Sequence, residues 1–160
     1  MNRRPCPPLH IRRATFTLLV AHREQIVPSI RKLGRHLGPP PVYFCGRTRP
    51  VLDLMGGTYA EGVDAWPVRD AAELLAMLEE VGRLTIVVEH DPALYYPDPE
   101  RAAAVGRALA ERVQMTCATV AYVATRQDDY LEAIGRQAGA VGDAWRDPLP
   151  EGQQRLFGQG

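Results

Sequence analysis

The stretch Leu84-Thr85-Ile86-Val87-Val88-Glu89 decides how the chain is read. Its middle is continuously apolar and β-branched and has no polar face, the pattern of a strand buried on both sides of a parallel sheet. It ends in an acidic triplet, Glu89-His90-Asp91, so the polar groups begin where the strand meets solvent. Working outward, Ala14 to Ala21 (Ala-Thr-Phe-Thr-Leu-Leu-Val-Ala) has the same character, and Pro41 to Gly46 and Thr116 to Ala124 read as further strands. Ala138 to Trp145 reads as a short last strand.

Between these strands the periodicity changes to that of helices. Ile26, Val27, Ile30, Leu33 and Leu37 recur at helical spacing, which predicts a helix over 24–37 with Arg31, Lys32 and Arg35 facing out. Thr48 to Met55 reads as a short helix closed by Gly56-Gly57. Asp70 and Glu73 have capping-box spacing at the start of a helix over 68–81. Asp98-Pro99 supplies an N-cap and a first-turn proline for a helix running to Met115, and a last helix covers 128–136. Alternating strands and helices predict an α/β fold of three layers, a mostly parallel sheet with helices on both faces. The chain divides into a basic flexible arm (1–13), one α/β domain (14–146) and a polar tail (147–160).

At 160 residues, 46% apolar and 24% charged, the chain has the size and composition of one globular domain, which excludes disordered and fibrous classes. No apolar run approaches the ~20 residues of a membrane helix, and the Arg/Pro-rich start lacks the apolar stretch of a secretory leader, so a cytoplasmic protein without a membrane partner is expected. Cys6, Cys45 and Cys117 are odd in number and lack CxxC spacing, which argues against a disulfide framework and a thiolate zinc site. The formal net charge of zero hides a division. Residues 1–49 carry nine Arg and Lys32 against Glu24 (+9), while residues 50–160 carry nine Arg against eighteen acids (−9). Such a basic segment either attracts nucleic acid or an acidic partner, or pairs with the acidic part of the same fold.

The order of elements is similar to the core of RecA/KaiC-like P-loop ATPases over residues 14–146. The matching features are strand one with its turn and helix, strand two, Leu84 to Glu89 in the place of the Walker B strand, the long helix, the strand ending Ala124-Thr125, and Asp128-Asp129-Tyr130-Leu131-Glu132-Ala133 leading to Ala138-Gly139-Ala140-Val141. The departures are chemical. A P-loop needs glycine amides to wrap phosphates, a Lys to reach their oxygens and a hydroxyl to hold Mg²⁺. The corresponding turn here, Ala21-His22-Arg23-Glu24-Gln25, has none of these, and Glu24 puts negative charge in the first helical turn. Glu89 stands where an Asp is usual, and Phe44-Cys45-Gly46 offers no carboxylate to polarise water.

The resemblance therefore implies a degenerate member without Walker A and without a cofactor. Such members, like accessory Elongator subunits and some recombinase-paralogue partners, serve as accessory or regulatory subunits. The expected partner is an active RecA-family ATPase in DNA repair or a related process, or a second copy of the chain. Arg23, Arg47 and Arg126 follow strands one, two and four and could meet a partner's nucleotide or pair with Glu89 and Asp128. Tyr95 and Tyr96 form an interaction patch if exposed.

Two other classes compete. His22, Glu89, His90 and Asp91 lie just past strand ends, where α/β sheets place ligand sites, and would be the catalytic set of a small metal-dependent hydrolase. No recognisable metal-ligand motif supports that set. Arg3, Arg4, Arg12 and Arg13 would make the arm a nucleic-acid-binding module. In the non-catalytic reading Glu89 closes the most buried strand and takes Arg23 or Arg126 as its partner.

Overall fold

The computed structural model describes residues 9–35 and 38–143. Six strands form one sheet: β1 (Phe16–Val20), β2 (Val42–Cys45), β3 (Asp64–Pro67), β4 (Thr85–Glu89), β5 (Thr119–Ala124) and β6 (Ala140–Asp143). Their order is β3-β2-β4-β5-β1-β6, and every neighbouring pair is parallel. β4 and β5 therefore occupy the centre, with Val87 opposite Ala121 and Glu89 opposite Val123.

Both faces of the sheet are apolar, as the sequence pattern requires. Leu18, Val20, Phe44, Ile86, Val88, Val120 and Tyr122 point to one side. There they meet α3 (Ala71–Glu80), α4 (Pro99–Thr116) and α5 (Asp129–Gly135) through Leu74, Leu78, Val105, Leu109, Leu131 and Ile134. Leu19, Tyr43, Cys45, Val87, Ala121 and Val123 point to the other side, against Ile26, Val27 and Ile30 of α1 (Arg23–Leu33) and Val51, Leu52 and Met55 of α2 (Pro50–Met55). The fold is a three-layer α/β arrangement with an all-parallel sheet. No helix among the described residues is long and apolar enough to cross a membrane.

The helix starts follow the capping chemistry. Asp70, Asp98 and Asp128 each accept a hydrogen bond from a first-turn amide: from Glu73 at 2.8 Å, Glu100 at 2.9 Å and Leu131 at 2.8 Å. α1 ends at Leu33 rather than running to Leu37. Gly34 caps it so close to the loop at Gly62 that a Cβ on Gly34 would lie 2.7 Å from the Gly62 carbonyl oxygen. α2 begins at Pro50, because the Thr48 amide is drawn away to Asp91 at 3.1 Å. The strand β3 goes beyond the five that the sequence pattern predicts. It is an edge strand of three half-buried residues and the exposed Pro67, and it begins with an Asp, so it has no apolar run to announce it.

Residues 9–13, assigned to a flexible arm on composition, lie against the α1 layer. Leu9 and Ile11 pack on that core, the Leu9 carbonyl accepts from Ser29 Oγ at 3.2 Å, and the Arg12 amide donates to Thr17 Oγ1 at 3.3 Å. Arg3, Arg4 and the tail beyond 143 lie outside the described residues.

Candidate functional site

The carboxyl ends of the strands carry the residues singled out by the sequence, and the triplet after β4 is their centre. Its three side chains, all buried, go to three different places.

Glu89 has the same facing as Val87, toward the α1–α2 layer. Its Oε1 accepts from the Tyr43 hydroxyl at 2.5 Å and from the Leu52 amide at 3.0 Å, and its Oε2 accepts from the Val51 amide at 2.9 Å. The carboxylate thus closes the first turn of α2, where its negative charge complements the helix dipole. Burial raises the Glu89 pKa, and the three hydrogen bonds oppose that rise without cancelling it. Burial, followed by the neighbouring Glu89 charge, also raises the Tyr43 hydroxyl. Of the hydrogen-bond or arginine partner that a buried carboxylate needs, the structure supplies hydrogen bonds: Arg23 pairs with its neighbour Glu24 at 3.7 Å, and Arg126 has no ion pair among the described residues.

His90 turns to the opposite face. Its Nε2 lies 2.9 Å and 3.0 Å from the two Asp128 oxygens, and its Nδ1 lies 2.6 Å from the Tyr122 hydroxyl, which is 2.8 Å from the Tyr95 hydroxyl. An ionised Asp128 only accepts, so Nε2 carries the proton. In the neutral ring Nδ1 then accepts from Tyr122, and Tyr122 accepts from Tyr95. Tyr95 also stacks on the imidazole, with ring centres 5.9 Å apart. Partial burial of Asp128 disfavours its charge, but His90 and the amides of Leu131 and Tyr130 outweigh this and hold its carboxyl below the usual range. Burial raises Tyr122 and Tyr95.

Asp91 ties two loops together. Its Oδ1 accepts from the Ala93 amide at 3.0 Å, at the 3₁₀ turn Pro92–Leu94, and its Oδ2 accepts from the Thr48 amide. Gly46 makes this possible, since a Cβ there would stand 2.3 Å from Asp91 Oδ2.

His22 is the exposed N-cap of α1, and its backbone amide donates to Gln25 Oε1 at 3.2 Å. It follows β1, two strands from β4, and does not join Glu89, His90 and Asp91 in one site. Among the described residues no group of three His, Cys, Asp or Glu side chains is placed to hold a metal ion. Tyr95 is fully buried and fastens its loop rather than joining an interaction patch, whereas Tyr96 is 71% exposed. Arg47 and Arg126 are exposed and do not pair with Glu89 or Asp128. They follow β2 and β5, on either side of β4.

The sequence reading missed Tyr43, Tyr122 and the His90–Asp128 pairing. A signal was present, because a tyrosine inside an otherwise apolar buried strand needs a partner for its hydroxyl. Ion pairs between the basic and acidic parts of the chain are few among the described residues. Arg49 to Asp53 (3.4 Å) crosses the boundary, but the pairs of Arg69, Arg83, Arg107 and Arg136 lie within residues 50–143. Arg31, Lys32, Arg35 and Arg47 have no ion pair among the described residues. Compared with known families and characterised proteins, the chain matches no family model and no curated protein.

Proposed function

We infer that the chain is a non-catalytic accessory or regulatory protein, a P-loop-lacking relative of the RecA-like ATPases. In this reading it acts through protein contacts on an active RecA-family ATPase in DNA repair or a related process. The observation that carries the reading is the hydrogen bonding of Glu89. In the place of a Walker B carboxylate, both of its oxygens are taken by Tyr43 and the first turn of α2. With three of its four acceptor sites taken and the side chain buried, this carboxylate is poorly placed to hold a metal ion or an attacking water. The turn before α1 supports the same conclusion: the Gln25 and Ile26 amides bond the His22 carbonyl at 2.9 Å and 3.1 Å, and Glu24 adds negative charge. In further support, the stretches on which the resemblance rests run side by side as β4, β5 and β1.

The surface offered to a partner is the same carboxyl edge. Arg47 and Arg126 flank it as exposed cations without an ion pair among the described residues, and Tyr96 adds an exposed ring. The test is the ATP turnover of a RecA-family ATPase from the same host, measured with and without the full chain. The expected result is a changed rate, lost when Arg47 and Arg126 are both replaced by Ala. An unchanged rate for every such ATPase in the host contradicts the reading.

A further inference from the structure

A second concave surface lies at the opposite, amino-terminal edge of the sheet. It is a cleft of about 1080 Å³ walled by the segments that enter β1, β2, β4 and β5 and by the end of α1. Its charged lining is Arg13, Lys32, Arg35 and Arg83, joined by His10, with no Asp or Glu among the described residues. Arg83 is partly engaged, donating to the Pro40 carbonyl at 2.8 Å and lying 3.3 Å from Asp64. Lys32 and Arg35 are exposed and have no ion pair among the described residues. Arg35 also lines the neighbouring cleft, where Arg31 adds another cation and Glu61 a single acid. Of the basic-half cations without an ion pair among the described residues, Arg31, Lys32 and Arg35 line these two neighbouring clefts, while Arg47 lies at the carboxyl edge.

We propose that this cleft binds the phosphate backbone of nucleic acid through charge alone. Guanidinium and ammonium groups lining an open cleft suit phosphate oxygens and release counterions on contact. Among the described residues no aromatic ring apart from His10 lines the cleft, so bases are not stacked and binding is indifferent to sequence. The surface is distinct from the carboxyl edge assigned to a protein partner, so both could be occupied together.

The test is fluorescence anisotropy of the full chain with a labelled oligothymidylate of about 20 nucleotides, between about 50 and 200 mM salt. The expected result is salt-sensitive binding. Replacing Lys32 and Arg35 together by Gln weakens it about tenfold or more at the low-salt end and lowers the salt slope by about 1.4, from two lost phosphate contacts at about 0.7 each. Arg107→Gln, on α4 across the sheet, leaves it unchanged, and all variants keep the wild-type melting midpoint. An oligoadenylate of the same length binds equally well. Absence of binding at low salt overturns the proposal. So does unchanged binding in the Lys32/Arg35 variant accompanied by loss on replacing Arg3 and Arg4, which would place the contact on the arm. Equal displacement by polyglutamate also overturns it, since that shows attraction for any polyanion.

Discussion

Glu89 joins three elements through one carboxylate. Truncation to Ala leaves the Tyr43 hydroxyl and the Val51 and Leu52 amides buried without their acceptor. We expect Glu89→Ala to cost about 3–5 kcal/mol and Tyr43→Phe about 1–2 kcal/mol in urea unfolding. A Glu89→Ala cost below that of Tyr43→Phe contradicts the assignment. The buried Glu89 and the half-buried Asp128 have opposite pH signatures. Glu89 has a folded pKa above its ordinary 4.5, so the cost of its charge is absent below that value and grows as pH rises through the folded one. Asp128 lies below its ordinary 3.8, so its contribution is present above that value and lost as pH falls through the lowered one. On acidification the stability of the wild type should therefore rise relative to Glu89→Gln and fall relative to Asp128→Asn. Urea midpoints across the acid range check both signs, and parallel curves would contradict them.

At the level of elements, two joints depend on single residues. Arg112 of α4 donates to the Leu78 carbonyl at 2.7 Å and to the Val81 carbonyl, supplying a cation at the end of α3, whose last turn has none of its own. Arg112→Met keeps the aliphatic stem and should cost about 1–3 kcal/mol, with faster amide exchange in the last turn of α3 than elsewhere. Uniform exchange across the helix would show that the joint is not local. Gly46→Ala should part the two loops that Asp91 ties, because the new methyl group takes the place of the Asp91 oxygen. The elements themselves were mostly legible: β1, β2, β4 and β5 are apolar runs, and three Asp caps mark helix starts. What was hidden depends on tertiary contact. β3 is a strand because β2 offers it an edge, and α1 stops at Gly34 because the Gly62 loop lies against it. The site was legible in position, since Glu89, His90 and Asp91 do end the central strand. Their roles were not, because alternate facing sends Glu89 to Tyr43 and α2, while His90 turns to Tyr122 and Asp128.

Across the whole molecule, the two edges of the sheet divide the polar chemistry. The carboxyl edge holds a set of buried acids and an imidazole whose hydrogen bonds are made internally, flanked by Arg47 and Arg126. The amino edge holds the basic cleft. The division explains how a chain of zero net charge can carry +9 in residues 1–49: the cations of α1 remain on the surface and are not spent on internal pairs with the acidic part. Interaction with a protein at one edge and with nucleic acid at the other is consistent with an accessory role.

If the hydrogen bonds of Glu89 close the carboxyl edge to ATP chemistry, the purified full chain in ATP and Mg²⁺ releases no phosphate above the protein-free blank, for the wild type and for Glu89→Gln alike. Release by the wild type that disappears in Glu89→Gln, with the variant still folded, would contradict this by showing that the carboxylate serves catalysis.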